Sequence, residues 1–132
     1  PGAEVVARGE IVSLRALFPK AVIHPAPALE SRLWLPDPND IHVLASAITG
    51  GADQIITFNA ADFPRQSPSE EGLGRMDPDQ FLLALHDDAP GKIADVCEQV
   101  RAEAQRLSGQ SMDLRSLLKR AKLPRLGKRL AG

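Results

Sequence analysis

The chain has a single cysteine, Cys97, among 132 residues. That excludes an internal disulfide and fits a reducing cytosol. Cys97 lies in a helical run, where its expected role is that of a small buried hydrophobe. No run approaches the roughly 20 consecutive apolar residues that a membrane span needs, and no secretory leader is legible. The expectation is a cytoplasmic protein with no membrane contact. The three histidines form no His-Cys or His-Glu-x-x-His spacing, which argues against zinc. No Ser-His-Asp or Cys-His arrangement argues for a side-chain nucleophile. There is no internal repeat and no phosphate-binding glycine loop. The net charge of −1 implies no overall attraction to nucleic acid. With 43% apolar and 25% charged residues, the composition is that of an ordinary globular protein, and the length suits one domain or slightly less.

What is present concentrates between Leu35 and Pro64. Asp37 is a good N-cap and Pro38 suits the first helical position. Asp40 then falls at the third, where the helix dipole favours a negative charge. Ile41, Leu44, Ala45 and Ile48 follow at i, i+3, i+4 and i+7, one apolar face. Gly50-Gly51 stops the helix. Gln54-Ile-Ile-Thr-Phe58 has the β-branched and aromatic content of a buried parallel strand. Asn59 to Pro64 is then a loop at its C-terminal edge, where open α/β sheets keep their chemistry. Asp40 and Asp62 thus occupy the two ends of one helix–turn–strand unit, as part of a divalent-metal site would. Spacing alone also fits a dipole-matched helix start at Asp40 and a surface-loop acid at Asp62.

Asp37-Pro-Asn-Asp-Ile-His-Val-Leu-Ala-Ser-Ala47 and Gly51-Ala-Asp-Gln-Ile-Ile-Thr-Phe-Asn-Ala-Ala-Asp-Phe-Pro64 resemble the second half of a PIN domain, the fold of VapC-type toxin ribonucleases. The similar branch reads Asp-Pro-Asp-Asp-x-His-Val-Leu-Ala-Ala-Ala, then Gly-Ala-Asp-x-Ile-Val-Thr-Phe-Asn-x-x-Asp-Phe-Pro. Asn39 departs from it where the family often has Asp, so Asp40 stands for the helix-borne acid. The resemblance makes Asp40 and Asp62 the metal ligands, with Asn59 completing the catalytic set, Thr57 adding a hydroxyl and Glu30 a conceivable third acid. It implies Mg²⁺ or Mn²⁺ as cofactor and single-stranded RNA as substrate of an endoribonuclease toxin from a type II toxin–antitoxin system. It also implies a cognate antitoxin as partner.

The resemblance spans residues 1–88, the C-terminal half of a PIN-like domain. Nothing here matches the family's opening Asp-bearing strand or its Glu-bearing helix. The chain is therefore read as a C-terminal fragment, weak or inactive alone, that forms a homodimer or joins the missing half. The alternatives are a non-catalytic antitoxin-binding or oligomerisation module, and an inert remnant of a truncated gene. The fold class expected is α/β: part of a PIN-like parallel sheet flanked by helices, then an all-helical extension over 89–132.

The remaining elements follow from pattern. A helix is expected over Ala3–Phe18, a strand at Ala21–Ile23, and an irregular stretch or one helical turn over Pro25–Trp34. The two strands, Ala21–Ile23 and Gln54–Phe58, should be parallel neighbours joined by the helix Pro38–Thr49, with Asp40, Asp62 and Asn59 facing one cleft. Pro64 to Gly74 reads as a polar loop, Asp77-Pro78 as a helix start, and Pro90–Ser108 as a helix. Ser111 is expected to cap a shorter helix that Pro124 breaks. His42 is read first as a packing or hydrogen-bonding residue and second as an RNA contact; His24 and His86 have no evident partner. Seven acids between Asp77 and Glu103 face seven bases and no acid between Leu114 and Gly132. That basic tail fits either a nucleic-acid or protein-binding segment or a face paired with the acidic stretch. It has no aromatic residue to stack on bases.

Overall fold

A computed structural model describes residues 2–131, with their side chains apart from that of Gln66. Pro1 and Gly132, which the readings of the opening and the tail included, lie outside the described residues. Helix accounts for 67% of the described residues, so the sheet is a minor layer. The helices are α1 (Gly2–Leu17), α2 (Pro27–Arg32), α3 (Ile41–Thr49), α4 (Gln66–Glu70), α5 (Pro78–Asp88), α6 (Pro90–Ser108), α7 (Leu114–Arg120) and α8 (Pro124–Ala131). The strands are β1 (Gln54–Ile56) and β2 (Gly74–Met76), paired in parallel with Ile55 opposite Arg75.

The pairing corrects the expected sheet. Ala21–Ile23 forms no strand, and β1 ends at Ile56, short of Phe58. The Ala21 N–H turns back to the Phe18 carbonyl at 3.0 Å, and Pro25 and Pro27 remove two donors just beyond. Ile23 instead lies against the C-terminal end of α3, where a Cβ on Gly50 would meet its Cγ1 at 3.1 Å. The neighbour of β1 begins at Gly74, where the segment read as a polar loop ends, and that loop itself contains a short helix. Residues 66–70 form α4, and Gly74-Arg-Met76 forms β2. Little in that sequence favours a strand. The ladder does, through the Gly74 N–H to the Asp53 carbonyl at 2.9 Å and the Thr57 N–H to the Met76 carbonyl at 3.0 Å.

Two apolar clusters organise the described residues. The first joins Leu35, Leu44, Ile55, Phe63 and Leu73, with Leu33, Ile41, Ala47 and Ile48 around them. It ties α3 to β1 and to the loop beyond it. The second joins Cys97, Leu118 and Leu126, with Leu82, Ile93, Leu114, Leu123 and Leu130. Here α5 packs against α6 and α8, and α7 packs against the same two helices. Cys97 is buried, as its place on the apolar face of α6 predicts, and burial pushes its thiol pKa up. Lys122 of the C-terminal part lies over the Phe58 ring, 5.6 Å from its centroid.

Two further corrections fall in the C-terminal helices. Asp113, not Ser111, caps α7: its carboxylate accepts the Ser116 N–H at 3.1 Å. Pro124 opens α8 rather than ending the helical region, because a proline in the first turn forfeits an N–H that has no helical partner anyway. The basic tail is partly answered as well. Arg125 pairs with Asp77 and Asp79, and Arg129 with Asp87, so two of its bases face the acids of α5.

α1 stands apart from both clusters. None of its residues is buried, and Val5, Val6, Val12, Leu14 and Leu17 are all more than half exposed. No described helix is long and apolar enough to cross a membrane.

Candidate functional site

Asp40 closes a 3-10 turn, Pro38–Asp40, that leads directly into α3. The Asp37 carboxylate accepts the Asn39 N–H at 2.9 Å, and the Asp37 carbonyl accepts the Asp40 N–H at 3.0 Å. The expected N-cap is therefore present. Because the first turn is tightened, Asp40 sits just ahead of the α-helix rather than at its third residue. It lies one turn before buried Leu44, and its own side chain caps nothing.

Asp62 closes a second 3-10 turn, Ala60–Asp62, just past β1. The Thr57 hydroxyl oxygen accepts the Asn59 N–H at 3.0 Å, and the Asn59 carbonyl accepts the Asp62 N–H at 3.0 Å. Thr57 thus shapes the loop through its hydroxyl oxygen. Arg75 of β2 braces the loop from the other side. Its guanidinium donates to the carbonyls of Ala60 at 2.8 Å and Phe63 at 2.9 Å. Sequence reasoning missed Arg75, because the segment holding it carries no strand signal and its partners are backbone oxygens.

Asp40 and Asp62 flank one cluster, since Leu44 and Phe63 both belong to it. Both acids are half-buried, and neither carboxylate has a hydrogen bond or ion pair among the described residues. Asn59 is exposed. No group of three or more His, Cys, Asp or Glu side chains gathers in a metal-holding arrangement among the described residues. Glu30 of α2 is half-buried. It shares an open groove with Ser31, Asn39, Ile41 and His42, and Asp40 and Asp62 do not line it. His42 is exposed, on a different side of the helix from Leu44. His24 is exposed, and the Nδ1 of His86 is buried without a hydrogen-bond partner among the described residues.

A second polar feature lies beside the same cluster. Arg32 of α2 donates to both Glu71 carboxylate oxygens, at 2.8 and 3.3 Å. That hydrogen bond holds Glu71 below, and Arg32 above, the ordinary range of each. The pair borders a pocket with Trp34, Ser67 and Glu70. It bridges α2 to the end of α4 and so helps place the β1–β2 connection.

Compared with known proteins, the chain matches no family model, no curated protein and no solved structure.

Proposed function

We propose that this chain belongs to a Mg²⁺- or Mn²⁺-dependent endoribonuclease toxin acting on single-stranded RNA within a toxin–antitoxin pair, and that alone it is weak or inactive. The observation that carries the reading is the pair Asp40 and Asp62, half-buried residues whose carboxylates have no partner among the described residues, held by two 3-10 turns beside one apolar cluster. A carboxylate with no protein partner keeps its oxygens open to a cation or to water. The resemblance of residues 37–64 to the PIN pattern supplies the chemistry.

The donor set fits a hard cation, since Asp40, Asp62 and the Asn59 amide offer oxygen ligands only. When bound, the ion would lower the pKa of an attacking water and neutralise charge on the phosphate oxygens. The protein's part is positioning. Thr57 and Arg75 hold the loop of Asp62 and Asn59, and Leu44 anchors the helix behind Asp40. Two acids and an amide are few, so affinity should be weak, with a dissociation constant on the order of 1 mM. The test is Mn²⁺ line broadening in amide NMR spectra. Broadening should centre on residues 39–42 and 59–63 and vanish in both Asp40→Ala and Asp62→Ala. Broadening at one loop alone, or none, removes the site. Cleavage of single-stranded RNA should be slight with either metal. Robust cleavage that disappears in both variants would show instead that two acids suffice.

A second reading, that of an association module, is favoured by α1. A 16-residue helix with no buried residue and five large apolar side chains more than half exposed is a surface that soluble monomers rarely keep. Analytical ultracentrifugation should show concentration-dependent dimers or larger species. Val6→Glu with Leu17→Glu should return them to monomer. A monomer at every concentration tested would remove this reading.

A further inference from the structure

We propose that the groove between α7 and α8 binds the phosphate backbone of single-stranded RNA through Arg115, Lys119 and Lys128. The proposal rests on the reading of RNA as substrate and locates a second, non-catalytic contact for it.

The seven bases of the tail divide by what surrounds them. Arg125 and Arg129 turn towards α5, where Asp77, Asp79 and Asp87 neutralise them. Lys122 lies over Phe58, and Arg120 is exposed, has no ion pair among the described residues and does not line the groove. Arg115, Lys119 and Lys128 are exposed and have no ion pair among the described residues. These three line one groove with Ser116 and Pro124, and no acid lines it.

Packing explains why the three converge. Gly127 is buried where the helices cross. A Cβ there would lie 3.4 Å from both the Arg115 carbonyl oxygen and the Leu118 Cβ. That close approach sets Lys128, the next residue, beside Arg115. Lys119 follows one turn after Arg115 on α7. Three cations held together on two short helices repel one another, and an anion relieves that repulsion.

The groove favours a backbone over bases. No aromatic side chain lines it for stacking, and Arg and Lys suit phosphate oxygens. Binding should therefore depend on salt and hardly on sequence. Three phosphate contacts on a single strand give a logarithmic salt slope of about two, or about 20-fold weaker binding between 50 and 200 mM salt.

The experiment measures fluorescence anisotropy of a labelled 20-nucleotide oligouridine with the full chain in EDTA, so that cleavage does not intervene. The triple variant Arg115→Gln, Lys119→Gln, Lys128→Gln should bind more than tenfold more weakly at low salt. Its salt slope should be shallower by about two. A charge-matched control, Arg15→Gln, Lys20→Gln, Lys92→Gln, should bind within twofold of the parent. The triple variant should keep the Mn²⁺ broadening at residues 39–42 and 59–63, so a failed metal site and a failed groove give different results. Three outcomes overturn the proposal: no binding by the parent chain, an equal loss in the charge-matched control, or competition by polyglutamate as effective as by RNA. The last would mark the groove as a site for an acidic protein segment.

Discussion

Replacing Asp79 by alanine is expected to cost about 3 kcal/mol of stability. The residue is only 4% exposed. One oxygen accepts the Arg125 N–H at 3.0 Å and the other the Leu126 N–H at 2.9 Å. Those amides belong to the first turn of α8, where helix N–H groups lack partners within the helix. Leu123, just before α8, has no polar side chain to cap it. The cap therefore comes from α5, 46 residues away in sequence. A hydrogen bond to a charged group contributes about 1.5–3 kcal/mol, and a buried donor left unpaired costs about 1–3 kcal/mol. Two such bonds at a buried junction give about 3 kcal/mol after allowing for water reaching exposed Arg125. Asp79→Asn keeps one acceptor oxygen and should lose about half as much. Urea unfolding followed by circular dichroism measures both. A loss under about 1 kcal/mol for the alanine variant would mean that solvent caps α8 adequately. Amide exchange at Arg125 and Leu126 should quicken in the same variant.

Leu44→Ala should cost a similar amount and should also disturb the candidate site. Leu44 is 1% exposed and packs in the cluster of Leu35, Ile55, Phe63 and Leu73. Truncating a buried leucine costs about 2–5 kcal/mol, more where the surroundings cannot collapse. The cluster draws on α3, β1 and the connections around them, so partial collapse is expected and about 3 kcal/mol is the natural value. Val43, its neighbour on α3, is 37% exposed, and Val43→Ala should cost under about 1 kcal/mol. The contrast separates packing from helix propensity, which both substitutions raise. Amide shifts at Asp40 and across 59–63 should move in the Leu44 variant and stay in place in the Val43 variant. Equal losses for the two variants would refute the cluster as the anchor of the site.

These two residues differ in how they could be found. Leu44 is readable from the i, i+3, i+4, i+7 pattern that begins at Ile41. Asp79 looks like any acid in the first turn of a helix, and nothing near it in sequence announces a bond to Arg125 and Leu126. Local chemistry was legible in the same way elsewhere. Asp37 and Asp77 cap the turns they were expected to cap, each through a backbone N–H. The helix α6 runs from Pro90 to Ser108 and ends at Gly109 with φ 70°, as proline-first and glycine-last signals predict. The turn carrying Asp62 lies past β1 as expected. What braces that turn, Arg75, was invisible because its strand is made by its partner.

The sequence by itself determined the local elements. Side-chain caps, proline and glycine positions and apolar periodicity act within a few residues, so α1, α3, α5, α6 and the core of β1 were set by neighbours in the chain. It also determined the burial of Cys97 and the pattern at Asp40, Asn59 and Asp62. Only the tertiary structure decided the partner of β1, because Gly74-Arg-Met76 becomes a strand only when another strand supplies its hydrogen bonds. It decided against a strand at Ala21–Ile23, where no ladder partner lies alongside and prolines follow. It also divided the basic tail between bases neutralised by α5 and bases left facing a groove. That division depends on how α8 crosses α7 at Gly127, a contact between residues whose separation in sequence carries no periodic signal.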